Sequence, residues 1–124
     1  MPLAARTVRV ELGDRSYDIA IGSGTLVGCH EFLAERTRAS HAVVVTDTNV
    51  DDLYADALAD QLSDEGMEVH ILVVDAGEAS KSPEAALELW ETMLEEGTDR
   101  ESAVLAVGGG VVGDLAGFVA ATFA

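Results

Sequence analysis

Apolar and polar residues alternate along two short stretches near the N-terminus of the chain. The first stretch is Thr7–Leu12, and the second follows the segment Gly13-Asp14-Arg15. The apolar positions of the two stretches are Val8, Val10, Leu12, Tyr17, Ile19 and Ile21. Alternation on both sides of a Gly-Asp turn predicts a β-hairpin.

Further along the chain, continuous apolar runs replace the alternation. The runs are Ala42–Val45 and Ala103–Val107, and the segment Glu68–Val74 between them is predicted to be a strand as well. Continuous runs of this kind are typical of parallel strands that are buried on both faces. One helix is predicted before these strands, over Thr25–Arg38. Three more are predicted between and after them, over Asp51–Glu65, Pro83–Glu96 and the segment that follows Gly110. The order predicts an α/β fold, a Rossmann-like parallel sheet flanked by helices, with an N-terminal β-hairpin.

Helical spacing also predicts which faces of the middle helices are buried. The expected inward positions are Leu53, Tyr54, Ala57, Leu58 and Leu62 in one helix and Ala86, Leu87, Trp90, Met93 and Leu94 in the next. Ser82 is predicted to cap the second of these helices, because Pro83 suits its first turn.

Composition limits the functional classes. The chain has 124 residues, enough for one domain, and a formal net charge of −16 that disfavours nucleic-acid binding. No apolar run approaches the roughly 20 residues of a membrane span, and the first residues lack the pattern of a signal peptide. A cytoplasmic location is therefore expected. The single cysteine, Cys29, is predicted to be a small core residue.

The stretch Ala103–Phe123 contains the clearest sign of ligand binding. Its apolar run leads into Gly108-Gly109-Gly110, and Gly113-Asp114 follows. A glycine turn between a strand and a helix exposes backbone N–H groups that bind phosphate, and the spacing Gly-x-Gly-x-x-Gly is that of dinucleotide sites. The pattern alone is weak, since similar turns also serve packing.

Two further loops follow strands that the topology places at the same sheet edge. They are Thr46–Asn49 and Asp75–Lys81, the latter with the only lysine of the chain. In parallel sheets ligands bind at the carboxyl ends of the strands. Asp47, Asn49 and Glu78 are suited to ribose or base edges, and Lys81 to a phosphate or ribose oxygen. The alternative is that Asp47 and Asn49 only shape a turn and that Glu78 and Lys81 form a surface ion pair.

Two of the three histidines are assigned structural roles. His30 is expected at the boundary between a helix and the core, and His70 partly buried within a strand. Their scatter along the chain, with His41, does not indicate a metal site.

The glycine segment Val107–Phe123, GGGVVGDLAGFVAATF after the valine, resembles the signature of 3-dehydroquinate synthase. The resemblance extends to Val45–Val50 and Gly77–Ser82 and to the hairpin, so it covers nearly the whole chain. It implies that residues 1–124 are the N-terminal NAD-binding domain. The implied NAD contacts are Asp47, Thr48, Asn49, Glu78, Ala79, Ser80, Lys81, Gly109, Gly110, Val111 and Asp114.

The resemblance also implies an activity for a longer protein. The family converts 3-deoxy-D-arabino-heptulosonate 7-phosphate to 3-dehydroquinate and phosphate in the shikimate pathway, with NAD and a divalent metal, zinc or cobalt. The metal ligands and most substrate contacts belong to a C-terminal domain that this chain lacks, and a homodimer is implied. Because the chain ends at Ala124 inside an apolar helix, we expect a fragment that is inactive alone, with neither catalytic nor metal-binding residues.

Two other interpretations stay open on the sequence. One is a relative with the same domain plan, either another sugar-phosphate cyclase or a glycerol-dehydrogenase-like polyol oxidoreductase. The other is a non-catalytic nucleotide-binding module, which a folded chain that leaves NAD unbound would favour.

Overall fold

A three-stranded parallel sheet lies between two layers of helices, and a separate antiparallel hairpin precedes it. The computed structural model describes residues 6–124. The elements are β1 (Arg6–Val10), β2 (Tyr17–Ile21), α1 (Cys29–Ala34), β3 (His41–Asp47), α2 (Asp56–Asp64), β4 (Glu68–Val74), α3 (Pro83–Glu95), β5 (Ala103–Val107) and α4 (Gly110–Phe123). This arrangement confirms the predicted α/β class and the hairpin.

The strand order β4-β3-β5 places β3 at the centre, hydrogen-bonded in parallel to both neighbours. Successive side chains of β3 point to opposite faces. Val43 and Val45 therefore pack with α3 and α4, whereas Ala42 and Val44 pack with α2. All four are fully buried, which is why this strand is apolar without alternation.

The predicted burial of the second helix is partly wrong. Leu58 and Leu62 are buried as expected, but Leu53 and Tyr54 are more than half exposed and Ala57 is exposed too. The chain forms a π-turn over Asp51–Ala55 before α2 begins. A π-turn advances the side chains by a different angle per residue from an α-helix, so Ala55 takes the buried position instead.

The predicted inward face of α3 is also shifted. Ala86, Leu89 and Met93 are buried and Trp90 is half-buried, whereas Leu87 and Leu94 are 51% and 67% exposed. Ser82 caps the helix as predicted, because its hydroxyl accepts the N–H of Ala85 at 3.1 Å. Ala86, Leu89 and Met93 are three and four residues apart, so they lie on one face of the helix. Leu87 and Leu94 fall outside this face and point toward solvent.

The first helical segment is short. A 3₁₀ turn covers Thr25–Gly28, and α1 ends at Ala34, well before the predicted Arg38. Cys29 packs half-buried against the core beside α2, as expected, and burial raises the pKa of its thiol. His30 is half-buried at the same junction, where its backbone N–H donates to Oε1 of Gln61.

Across residues 6–124, none of the helices has the length and apolar character needed to span a membrane.

Candidate functional site

The loops that follow β3, β4 and β5 meet at one edge of the sheet, where the predicted parallel topology places them. Hydrogen bonds connect all three. The hydroxyl of Thr46, fully buried, donates to the carbonyl of Val107 at 2.8 Å. The N–H of Thr48 donates to the carbonyl of Val74 at 3.1 Å, and its hydroxyl accepts the N–H of Ala76 at 3.2 Å. The edge is thus a connected surface of three loops.

The glycine turn after β5 contains one glycine that the fold itself requires. A Cβ at Gly108 would lie 2.8 Å from Cγ2 of Val112, a side chain that is buried in the core beneath the turn. Because Val112 is packed in the core, a side chain at position 108 would force the turn or the helix to shift. Gly108 therefore serves packing, one of the two roles considered for the motif.

The other three glycines of the motif have no such contact. A Cβ at Gly109, Gly110 or Gly113 would meet nothing within 4 Å in the described part of the chain, and none of the three has positive φ. Their lack of side chains instead leaves the backbone open to approach from outside.

Helix α4 begins at this open turn without a side-chain cap. Gly109 occupies the capping position and has no side chain to accept a hydrogen bond, and the first turn holds no acidic residue. The N–H of Gly113 donates to the carbonyl of Gly109. The backbone N–H groups before it, including those of Gly110 and half-buried Val111, have no partner within the helix. Unpaired N–H groups and the helix dipole together attract an anion.

Lys81 supplies the positive charge at this edge. Its Nζ lies 2.8 Å from Oδ2 of Asp114, on α4, and 3.8 Å from Oε2 of Glu78. The hydrogen bond to Asp114, followed by the charges of Asp114 and Glu78, raises the pKa of Lys81 above its ordinary value. Both carboxylates remain largely exposed, so the lysine is positioned but not buried. The surface pair with Glu78 is therefore present, and the stronger contact is with Asp114.

Asp47 shapes the loop after β3, as one of the two interpretations predicted. Its Oδ1 accepts the N–H groups of Asn49 at 2.9 Å and Val50 at 3.1 Å. The other carboxylate oxygen, Oδ2, has no hydrogen bond within residues 6–124, and the side chains of Thr48 and Asn49 are exposed beside it. The turn thus presents one fixed acceptor oxygen to the edge.

Ser80 supports the middle loop from inside. It is 7% exposed, and its hydroxyl donates a hydrogen bond to the carbonyl of Asp75. Glu78 and Ala79, which complete the 3₁₀ turn Glu78–Ser80, are exposed. The hydroxyl of Ser80 therefore holds the shape of the loop, and its neighbours form the surface.

A cavity of about 330 Å³ lies between α3 and α4 and is lined by Lys81 and Asp114. Its apolar wall includes Trp90 and Phe118, whose ring centroids are 5.9 Å apart. Sequence reasoning placed Trp90 in the core and gave Phe118 no role. The signal was available, because Phe118 follows Asp114 by four residues and so lies on the same face of α4.

Within residues 6–124, three potential metal ligands come together in one group, His41, Glu68 and His70. That group lies at the starts of β3 and β4, opposite the three loops. The loop edge itself therefore offers groups for a nucleotide, and no cluster of metal ligands.

Known proteins resemble this chain over most of its length. Residues 71–124 match the family model described as 3-dehydroquinate synthase N-terminal. A 3-dehydroquinate synthase of Desulforamulus reducens is 44% identical over 117 residues, which cover 94% of this chain and 33% of that protein. One of Rhizobium meliloti is 42% identical over 120 residues, covering 97% of this chain and 32% of that protein. The chain thus spans about a third of the length of these curated relatives.

Two kinds of solved structure share the fold. A 2-deoxy-scyllo-inosose synthase, crystallised with carbaglucose-6-phosphate, NAD+ and Co2+, superposes with a TM-score of 0.82 at 27% identity, over 94% of this chain and 31% of its own. ValA, a 2-epi-5-epi-valiolone synthase from Streptomyces hygroscopicus subsp. jinggangensis 5008 with NAD+ and Zn2+ bound, superposes with a TM-score of 0.70 at 33% identity, over 92% and 31%. Both neighbours are synthases whose structures contain NAD+ and a divalent metal ion.

Proposed function

The chain belongs to the 3-dehydroquinate synthase family as an N-terminal domain, and on that premise we propose that it is the NAD-binding part of such a synthase. The whole enzyme would convert 3-deoxy-D-arabino-heptulosonate 7-phosphate to 3-dehydroquinate and phosphate, a carbon–oxygen lyase reaction. The 124-residue chain alone would bind cofactor without turning over substrate.

The observation that carries the proposal is the open glycine turn. The fold needs glycine at Gly108 for packing, but it gives no internal reason for Gly109, Gly110 and Gly113. A pyrophosphate at the start of α4 explains all three, since its oxygens would accept the free N–H groups and its bulk would occupy the open space. NAD, when bound, supplies reversible hydride transfer, and the protein orients it.

The neighbouring loops would hold the rest of the cofactor. Oδ2 of Asp47 is available to accept hydrogen bonds from ribose hydroxyls, because Oδ1 already fixes the loop. Lys81, held by Asp114, would donate to a phosphate or ribose oxygen. The carboxylates of Asp47 and Glu78 would repel a 2′-phosphate, so NAD is preferred over NADP. The exposed Thr48, Asn49 and Ala79 would line the same surface, with Ser80 shaping it from beneath.

The metal and most of the substrate contacts would lie outside this chain. The loop edge brings together no group of three His, Cys, Asp or Glu ligands within residues 6–124, so these residues do not fit the divalent metal of the proposed synthase. We place that zinc or cobalt, the sugar-phosphate site and the surface that forms a homodimer in a longer polypeptide.

The test is calorimetric titration of the chain with NAD, alongside Asp47→Ala, Lys81→Ala and Gly110→Ala. Saturable binding is expected, and each substitution should weaken it by tenfold or more, since each removes or blocks one predicted contact. Arg100→Gln is the matched control for Lys81→Ala, because it also removes one positive charge but lies before β5, at the other end of the sheet. NADP should bind more weakly than NAD.

Equal loss of affinity in Arg100→Gln would mean that only net charge matters and would contradict the site. If the folded chain binds no NAD, the titration is repeated on a polypeptide of the full length of the relatives. Binding there, lost with Lys81→Ala, would show that a further domain completes the site. Absence there would favour a non-catalytic module.

A related cyclase is the second candidate, favoured by the superposition on 2-deoxy-scyllo-inosose synthase. The two are separated by incubating the full-length enzyme with 3-deoxy-D-arabino-heptulosonate 7-phosphate or with glucose 6-phosphate and measuring phosphate release. The identity of 42–44% to named 3-dehydroquinate synthases leads us to expect release from the first substrate.

A further inference from the structure

Two histidines and a glutamate meet at the edge of the sheet opposite the three loops. His41 begins β3 and Glu68 begins β4, and the parallel register sets them directly side by side. His70 lies two residues after Glu68 and therefore on the same face of β4. One ligand atom from each of the three lies within 4.8 Å of the other two. Six residue steps along β3, roughly 20 Å, separate this group from the loop edge.

Glu96, the residue that directly follows α3, contacts both histidine rings. Its backbone carbonyl lies 3.1 Å from Nε2 of His41, and its carboxylate Oε2 lies 2.8 Å from Nδ1 of His70. A carbonyl oxygen only accepts hydrogen bonds, so neutral His41 carries its proton on Nε2. The carboxylate likewise favours a proton on Nδ1 of His70. Each ring is thus held in the tautomer whose second nitrogen can act as an acceptor. For His41 this is Nδ1, which lies 2.9 Å from the Ser102 hydroxyl, and for His70 it is Nε2.

That second nitrogen of His70 has no suitable partner. Nε2 is buried and makes no hydrogen bond within the described residues. Oε1 of Glu68 lies 3.5 Å from this nitrogen, a distance too long for a good hydrogen bond. Two ligands on one tetrahedral zinc with bonds of about 2.0–2.1 Å are roughly 3.3 Å apart. The spacing of this nitrogen and oxygen therefore suits a shared cation better than a direct bond.

We propose that His41, Glu68 and His70 bind a divalent transition metal of the zinc class, with water as the fourth ligand. His70 would bind through Nε2 and Glu68 through its carboxylate. His41 would bind through Nδ1, which lies 2.9 Å from the Ser102 hydroxyl in this structure. The metal would replace that contact, and the Ser102 hydroxyl could then donate to Oδ1 of Asp99, 3.3 Å away. Glu96 is a positioning residue, because its contacts to both rings are those that outer carboxylates and carbonyls make to metal-bound histidines.

The spacing of these three residues along the sequence does not indicate a metal site. The three ligands are separated by 27 residues and by two, a spacing unlike the short motifs of local zinc sites. The register of β3 against β4 brings them together, and the sequences of the two strands do not specify that register. The histidines treated as scattered in the sequence are in fact neighbours, with ring centroids of His41 and His70 5.2 Å apart.

The experiment is titration of the tag-free chain with Zn2+ by calorimetry and with Co2+ by visible absorption, which reports tetrahedral coordination. One site per chain is expected. His70→Gln and Glu68→Gln should each lower affinity by more than tenfold, and Glu96→Gln by about 10- to 100-fold. His30→Gln and Glu95→Gln are matched controls, since they change the same residue types outside the group, and should leave affinity unchanged.

A second measurement needs no variant. In the wild-type chain, Zn2+ should shift the Nε2 resonance of His70 in 15N NMR while leaving that of His30 in place. Absence of saturable binding at millimolar Zn2+, or an equal loss of affinity in His30→Gln and His70→Gln, would overturn the proposal. So would a shift confined to His30.

Discussion

The ammonium nitrogen of Lys81 lies 2.8 Å from Oδ2 of Asp114, which joins the loop after β4 to the second turn of α4. These two residues are 33 positions apart in the sequence. Because β3 separates β4 from β5 in the sheet, the contact reaches across the carboxyl end of the central strand. A cation held at this point stands beside the open start of α4, where an anion is expected.

Asp114→Asn should lower the pKa of Lys81 toward its ordinary value. The hydrogen bond to Asp114 is the largest cause of the raised pKa, ahead of the charges of Asp114 and Glu78. The chain has one lysine, so a pH titration of its side-chain resonance by NMR is unambiguous. Glu78→Gln is the control and should cause a smaller change, because its carboxylate is 3.8 Å away. Equal shifts in the two variants would contradict this ranking.

The pair of Lys81 and Asp114 should stabilise the fold at neutral pH and lose this contribution at high pH. The folded pKa of Lys81 is raised, so the pair contributes fully below the unfolded pKa of about 10.4 and is lost as pH rises through the folded value. Between about pH 6 and 9, Asp114→Asn should therefore change the unfolding midpoint by a constant amount. A difference that varies across this range would assign the effect to another group.

Gly108→Ala should destabilise the fold by about 1–3 kcal/mol, the usual range for overpacking. The new methyl group would lie 2.8 Å from Cγ2 of buried Val112. Gly110→Ala is the matched control, since its Cβ would meet nothing within 4 Å and alanine favours the helix. Urea unfolding should show a lower midpoint for the first variant only. Equal stability of both would mean that the turn adjusts freely.

The layered parallel fold and the placement of the loops could be predicted because they rest on patterns that the chain repeats. Fully buried Val43, Val44 and Val45 form a continuous run only when helices cover both faces of a strand, so the layered α/β fold was predictable. The loop positions then follow, because parallel strands end at one edge. Ser82 and Pro83 marked the start of α3 by local chemistry alone.

Details that depend on angles or on distant partners could not be predicted. The π-turn before α2 places Leu53 and Tyr54 toward solvent, and no residue in Asp51–Ala55 indicates such a turn from the sequence. Nothing near Lys81 in the sequence indicates Asp114 as its partner. The meeting of His41 and His70 likewise depends on strand register, which the hydrophobic pattern does not fix when both faces of the strand are buried.

The shifted face of α3 predicts opposite outcomes for two leucines. Leu89→Ala should cost about 2–5 kcal/mol, because its side chain is buried against β3, β4 and α4. Leu87→Ala should change stability by less than about 0.5 kcal/mol, since half of that side chain is exposed. The two substitutions remove the same atoms from the same helix. Chemical unfolding of both therefore tests the face directly, and a larger loss at Leu87 would restore the face predicted from sequence.

The carboxylate of Asp18 connects the hairpin to the segment that follows α1. Asp18, on β2, lies 3.1 Å from Arg9 on β1 and 3.0 Å from Arg36, just after α1. The hydrogen bond from Arg9, with that from Arg36 and both positive charges, lowers the pKa of Asp18 despite the opposing effect of desolvation. A lowered folded pKa means that the contribution is present above the ordinary value near 4 and is lost as pH falls through the folded value.

Asp18→Asn should therefore loosen the hairpin at neutral pH without unfolding the sheet. Hydrogen exchange should become faster at the amides of β1 and β2 and stay unchanged at β3, whose residues Ala42–Thr46 are buried. Asp14→Asn is the matched control, because it removes one negative charge from the exposed turn between the same strands. Acidification of the wild-type chain through the lowered folded pKa of Asp18 should reproduce the effect. Equal acceleration in both variants would show that the charge of the turn, and not the link from Asp18 to Arg36, holds the hairpin in place.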